Sequence, residues 1–171
     1  MNTRKIALVS ILASIALAIS IIESFIPSIL PGVKFGFSNS IILITLYEVG
    51  LAETILIDII KVLITSLFRG TFLSMPFFMS LTGATFSLLI MILFYYFIKS
   101  FSIIGVSVLG SIFHVGGQIV ISFIYFQSSY IMYYMPIIGI SSIITGVIVG
   151  IVSYKIIKLG VIKSGKEKYR Q

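Results

Sequence analysis

The sequence predicts an all-α integral membrane protein, a bundle of six transmembrane helices, on three observations. Of its 171 residues 58% are hydrophobic and only 10% charged, with a mean hydropathy of +1.20; a water-soluble domain keeps about a quarter of its residues charged so that its surface can face water. Apolar runs near the roughly 20 residues needed to cross a bilayer recur along the chain. Six of the twelve basic residues, Lys155, Lys158, Lys163, Lys166, Lys168 and Arg170, crowd into the last 17 positions, which in so apolar a chain is an orientation signal.

The first helix is expected over 6–26, where the apolar stretch after Arg4 and Lys5 runs on to Ile26. That is too long for a cleaved signal peptide, despite an Ala-x-Ala-like site at Ala16 and Ala18. The second and third, 37–50 and 53–68, are short and separated by the turn "EVGLAE", where Gly50 stands between Glu48 and Glu53. A re-entrant hairpin is the competing reading. Helices over 75–98, 102–124 and 131–157 follow, the last kinked or capped near its start by Pro136. No repeat and no Pro- or Ser-rich linker divides the chain, so one six-helix domain over 1–171 is expected, ending in a basic cytoplasmic tail over 158–171.

Cytoplasmic loops retain lysine and arginine. With the N-terminus inside, Arg4, Lys5, Lys99 and the six tail residues all fall on the cytoplasmic side, leaving only Lys34 and Arg69 outside and Lys61 within the third span. Both termini are therefore placed in the cytoplasm of a multi-pass cell-membrane protein.

Several function classes drop out. There are no cysteines, which removes thiolate metal sites, iron–sulfur clusters and cysteine nucleophiles. The acids are Glu23, Glu48, Glu53, Asp58 and Glu167, and a single aspartate cannot build the carboxylate clusters that hold divalent cations for phosphoryl or prenyl-diphosphate chemistry. The net charge of +7 is concentrated in the tail and is no nucleic-acid patch. No enzyme activity, metal or cofactor is expected.

With the helices running alternately, the outer ends gather Glu23 of the first helix, Lys34 and Asn39 of "PGVKFGFSN", Arg69 and Gly70 after the third, and His114 and Gln118 of the fifth. Residues 114 and 118 share one helix face. Lys34 and Arg69 can also snorkel to headgroups, and His114 and Gln118 can serve as interhelical glue. Two outer cations set against the charge bias, beside turn glycines, favour a polar ligand pocket. Asp58 and Lys61, three apart on one face, are read as neutralising each other rather than as a proton relay. Small residues every four positions, Ser10, Ser14 and Ala18 on the first helix and Ser142, Gly146 and Gly150 on the last, mark faces for close helix approach.

"PGVKFGFSN", "FRGTFLSMPFFMSLTGATFSLLIM" and "GSIFHVGGQIV" together resemble the Gx transporter family, also labelled heptaprenyl diphosphate synthase component I, over nearly the whole chain. That family is similar to the substrate-binding S components of energy-coupling factor (ECF) transporters, which implies six helices, cytoplasmic termini and an outer-side pocket capped by loops. Its loop motif is matched by Pro31, Gly32, Lys34, Gly36 and Asn39, and its Arg-Gly step by Arg69 and Gly70. On the fifth helix His114, Gly117 and Gln118 match, while Val115 stands where the family has asparagine. The resemblance implies a face on the first helix that docks a membrane coupling subunit, with Ser10, Ser14 and Ala18, or the neighbouring Ala13, as its counterpart.

The expectation is therefore a substrate-capture subunit for a small anionic vitamin, flavin or isoprenoid-related compound. Glu23, Lys34, Asn39, Arg69, His114 and Gln118 would contact the ligand. The chain lacks a Gly-x-x-x-x-Gly-Lys-Ser/Thr loop, so ATPase subunits and a coupling protein are implied as partners, besides membrane lipids. A non-catalytic membrane subunit of prenyl diphosphate or quinone synthesis and a solitary transporter are the rivals.

Overall fold

The computed structural model describes residues 3–26, 36–98, 100–127 and 131–160. These residues form six helices in order: α1 Thr3–Ser24, α2 Asn39–Glu48, α3 Leu51–Phe68, α4 Met75–Phe97, α5 Ile103–Phe126 and α6 Ile131–Lys158. Each boundary lies within three residues of the corresponding apolar run. Pro31, Gly32 and Lys34 lie outside the described residues, as do Lys99 and the tail from Val161 onward.

Among the described residues four helices are long and apolar enough to cross a membrane: Thr3–Ser24, Met75–Phe97, Ile103–Phe126 and Met135–Lys158. Their outward side chains, such as Ile11, Ile22, Leu89, Phe97 and Ile140, are large, apolar and exposed, which suits lipid rather than water. The α2 helix differs, because its ten residues rise only about 15 Å, half the hydrocarbon thickness. Every residue from Asn39 to Tyr47 is buried, so α2 is a plug inside the bundle. It reverses into α3 at Gly50, whose φ of 144° and ψ of 170° suit glycine alone.

One layer is α4, α5 and α6 packed antiparallel with their backbones almost touching. A methyl group at Gly117 would lie 2.7 Å from the Thr82 carbonyl oxygen, and one at Gly146 2.7 Å from Val108 Cα. Hydroxyls tie the same seams, Thr82 donating to the Gly117 carbonyl at 3.0 Å and Ser107 to the Gly146 carbonyl at 2.8 Å. Pro136 sits inside α6.

The α1–α3 part is held differently. Lys5 pairs with Glu53, which places the starts of α1 and α3 at one end of the bundle. Ile156 and Ile157 near the end of α6 pack against the cluster of Val9, Leu12, Ala16, Ile41 and Ile57, so the first and last helices share that end as well.

Candidate functional site

The site begins with a turn. Backbone bonds from Asn39 N to Gly36 O (2.9 Å) and Ser40 N to Phe37 O (3.0 Å) launch α2 and bring the Asn39 side chain into the bundle. Gly36 adopts φ +85°, and a methyl group there would come 3.2 Å from Asn39 Nδ2 and 3.5 Å from His114 Cδ2. A side chain at this position would be strained and would also intrude on the polar cluster. Glu23, at the last turn of α1 and buried, accepts through Oε1 from the backbone N–H of Gly36 and from that of Phe37 (3.2 Å). The end of α1 is thereby clamped to the entry of α2.

From Asn39 a chain of polar contacts runs through the centre of the molecule. Asn39 Oδ1 accepts from Lys61 Nζ at 3.0 Å, and Lys61 pairs with Asp58 Oδ1 at 2.6 Å. An ammonium can only donate, so this contact fixes the Asn39 amide with its NH2 toward Ser87 Oγ (3.4 Å) and His114 Nδ1 (3.3 Å). His114 Nδ1 therefore accepts, and the neutral imidazole carries its proton on Nε2. Nε2 lies 2.8 Å from Gln118 Nε2. With the proton on His114 Nε2, the Gln118 amide meets it by presenting Oε1, an assignment that follows from the Lys61–Asn39 contact.

Every member of this chain is buried: Asn39 at 2% exposure, Lys61 at 3% and Gln118 at 0%. Polar groups so deep in an apolar interior persist only when hydrogen-bonded. Lys61, Ser87 and His114 sit near the midpoints of α3, α4 and α5, so the cluster lies deeper than the outer helix ends at which the sequence reading gathers it. Gly83 makes room for it, since a methyl group there would lie 2.8 Å from the His114 carbonyl oxygen and 3.0 Å from Gln118 Cγ.

Beside the chain is a cavity of about 20 Å³ lined by Ser20, Glu23, Gly36, Ser38, Lys61, Ser80 and His114, among others. This is room for a single water-sized group with several polar partners. The structure thus brings together Glu23, Asn39, His114 and Gln118 with Gly36, while Gly117 packs against the Thr82–Gly83 backbone of α4. It does not bring in Arg69, the half-buried residue that closes α3, or the exposed Gly70 after it. Lys34, Pro31 and Gly32 fall outside the described residues. Lys61 and Ser87, which sequence reasoning left out of the site, are inside it. Among the described residues no group of three or more His, Asp or Glu side chains is placed to hold a metal ion.

Four long apolar helices around a buried polar centre define a multi-pass membrane protein. The model of the family described as heptaprenyl diphosphate synthase component I matches residues 12–156, most of the sequence, and the chain belongs to that family. Comparison with curated proteins and with solved structures found no match.

Proposed function

We propose that this protein is the substrate-binding membrane subunit, the S component, of an ECF-type uptake transporter for a small anionic vitamin, flavin or isoprenoid-related compound. The observation that carries the reading is the buried chain Lys61–Asn39–His114–Gln118 beside a cavity that also meets Glu23 and Gly36. Intramembrane polar groups are costly and default to binding or transport roles. Both termini in the cytoplasm fit the excess of lysine and arginine at the two chain ends and the shared end of α1 and α6. The chain has no phosphate-cradling loop, so transport needs separate ATPases and a coupling subunit.

A second reading follows from the family description, a component of a synthase: a non-catalytic membrane subunit that presents a prenyl diphosphate to its enzyme. Mass spectrometry of small molecules that copurify with the protein separates the two. A water-soluble vitamin or flavin supports capture for uptake, and a lipid-tailed diphosphate supports the synthase subunit. Lys34→Ala is expected to weaken binding of the copurified compound about tenfold or more while insertion is unchanged. Equal affinity in a calorimetric titration removes Lys34 from the site.

A further inference from the structure

We propose that Lys61 is the anchoring cation of the cavity and that it takes a single carboxylate group of the ligand. The inference rests on the ligand-binding reading above and narrows it. An ammonium has three N–H donors. Asn39 Oδ1 takes one at 3.0 Å, and the Asp58 carboxylate lies 2.6 Å away as an ion pair. The remaining donor capacity belongs to a side chain that is 3% exposed and lines the cavity, which makes a group held in the cavity its acceptor.

Size and charge select the ligand group. About 20 Å³ admits one water-sized group, such as a carboxylate oxygen, against the Lys61 wall. Glu23 on the same wall accepts from the Gly36 and Phe37 N–H groups through Oε1. Its carboxyl group crowds any second acidic group of the ligand, which favours a monocarboxylate over a dianion or a diphosphate. Ser80 donates its hydroxyl hydrogen to the Pro76 carbonyl and so offers lone pairs to the cavity.

His114 is the chain's one histidine, so protein labelled with ¹⁵N-histidine carries a single imidazole reporter on the cavity wall. Full-length protein in detergent is titrated with formate, with formamide of the same size and shape, and with inorganic phosphate. Formate is expected to shift the His114 resonances saturably at about tenfold lower concentration than formamide, the margin between a charged and a neutral hydrogen bond. Phosphate is expected to give no saturable shift. The paired variant D58N/K61Q removes both charges together and keeps a donor for Asn39; it is expected to respond equally to formate and formamide. Equal responses in the parent, or a formate preference that survives in D58N/K61Q, overturn the anchoring role, and saturation by phosphate below formate overturns the carboxylate assignment. If the variant does not purify as a single species, the formate and formamide titrations of the parent decide alone. Uptake into vesicles with the coupling subunits is measured separately: a formate-selective site without uptake keeps Lys61 as anchor and removes the transport reading.

Discussion

The α4–α6 layer and the α1–α3 part solve the same problem, holding helices together where water does not drive them together, in opposite ways. Between Arg69 and Lys155 the sequence has one charged residue, Lys99, and α4–α6 cohere through glycines that let backbones meet and hydroxyls that reach across to carbonyls. The α1–α3 part carries Glu23, Glu53, Asp58 and Lys61 and, over a shared apolar cluster, is tied by the Lys5–Glu53 ion pair, by Lys61 Nζ on Asn39 Oδ1 and by a carboxylate on backbone N–H groups. Geometric packing leaves no space to spare, whereas charge pairing leaves directional groups whose valences are open to a third party. The cavity accordingly forms at the seam, with Lys61 and Glu23 on one side and Ser80 and His114 on the other.

If that contrast is right, the largest loss comes from unpairing a charge. Lys61→Met strands the Asp58 carboxylate at about 5% exposure, and leaving one partner of a buried pair uncompensated costs about 3–5 kcal/mol. D58N/K61M, which neutralises both, is expected to recover most of that loss in thermal unfolding in detergent. A double variant as unstable as Lys61→Met would show that the α1–α3 part is held by shape after all.

The packed layer should fail without any such rescue. Gly117→Leu drives a side chain into the Thr82–Gly83 backbone and is expected to cost about 3 kcal/mol, the upper end of the overpacking range. No charge change elsewhere should restore it. An unaltered melting temperature would mean that α4 and α5 are not in backbone contact at this level.

This difference also decides what is legible in the sequence. Helix positions follow from apolar runs and from Gly50, and Glu23, Asn39, His114 and Gln118 stand out because each is a polar residue with no local reason to be where it is. Lys61 is hidden by having one: Asp58 three residues earlier accounts for it, and spacing along α3 says nothing about a contact across to Asn39 on α2. Ser20, Ser38, Ser80 and Ser87 are hidden because serine is common in membrane helices, where its hydroxyl usually bonds its own backbone, as Ser80 does to Pro76. The depth of the cluster is hidden too, since it depends on α2 being a buried ten-residue plug rather than a full crossing. Arg69 looks like a site residue in sequence because it is a cation near the outer end of α3, but its position at that helix end keeps it off the cavity wall.

Cutting the chain at the seam should cost less than either earlier change. Asn39→Leu keeps the side-chain bulk but leaves Lys61 and His114 without their shared partner, a loss of about 1–3 kcal/mol. It also releases the tautomer of His114, so the single ¹⁵N imidazole signal should move from the Nε2–H pattern toward a mixture. Retention of the parent pattern would show that Lys61 does not set the polarity of the chain through Asn39.

The smallest effect on stability, and the sharpest test of the contrast, lies on the α1 stripe of small residues, set against the matching stripe on α6. On α6, Gly146 and Gly150 are filled from within, a methyl group at Gly150 falling 2.8 Å from Ile104 Cα on α5. On α1, Ser10, Ser14 and Ala18 are exposed, and the Ser14 hydroxyl bonds only the Ser10 carbonyl of its own helix at 2.9 Å, while Ala13 packs inward against the core. The proposed transporter role gives the α1 stripe to a coupling subunit. Ser14→Leu should therefore leave the melting temperature nearly unchanged, within about 0.5 kcal/mol as for other exposed substitutions, and should abolish copurification with that subunit. Gly146→Leu should do the reverse, unfolding the packed layer whether or not a partner is present. If Ser14→Leu destabilises the isolated protein as Gly146→Leu does, the α1 stripe belongs to the bundle's own packing; if it changes neither stability nor copurification, the coupling subunit docks elsewhere.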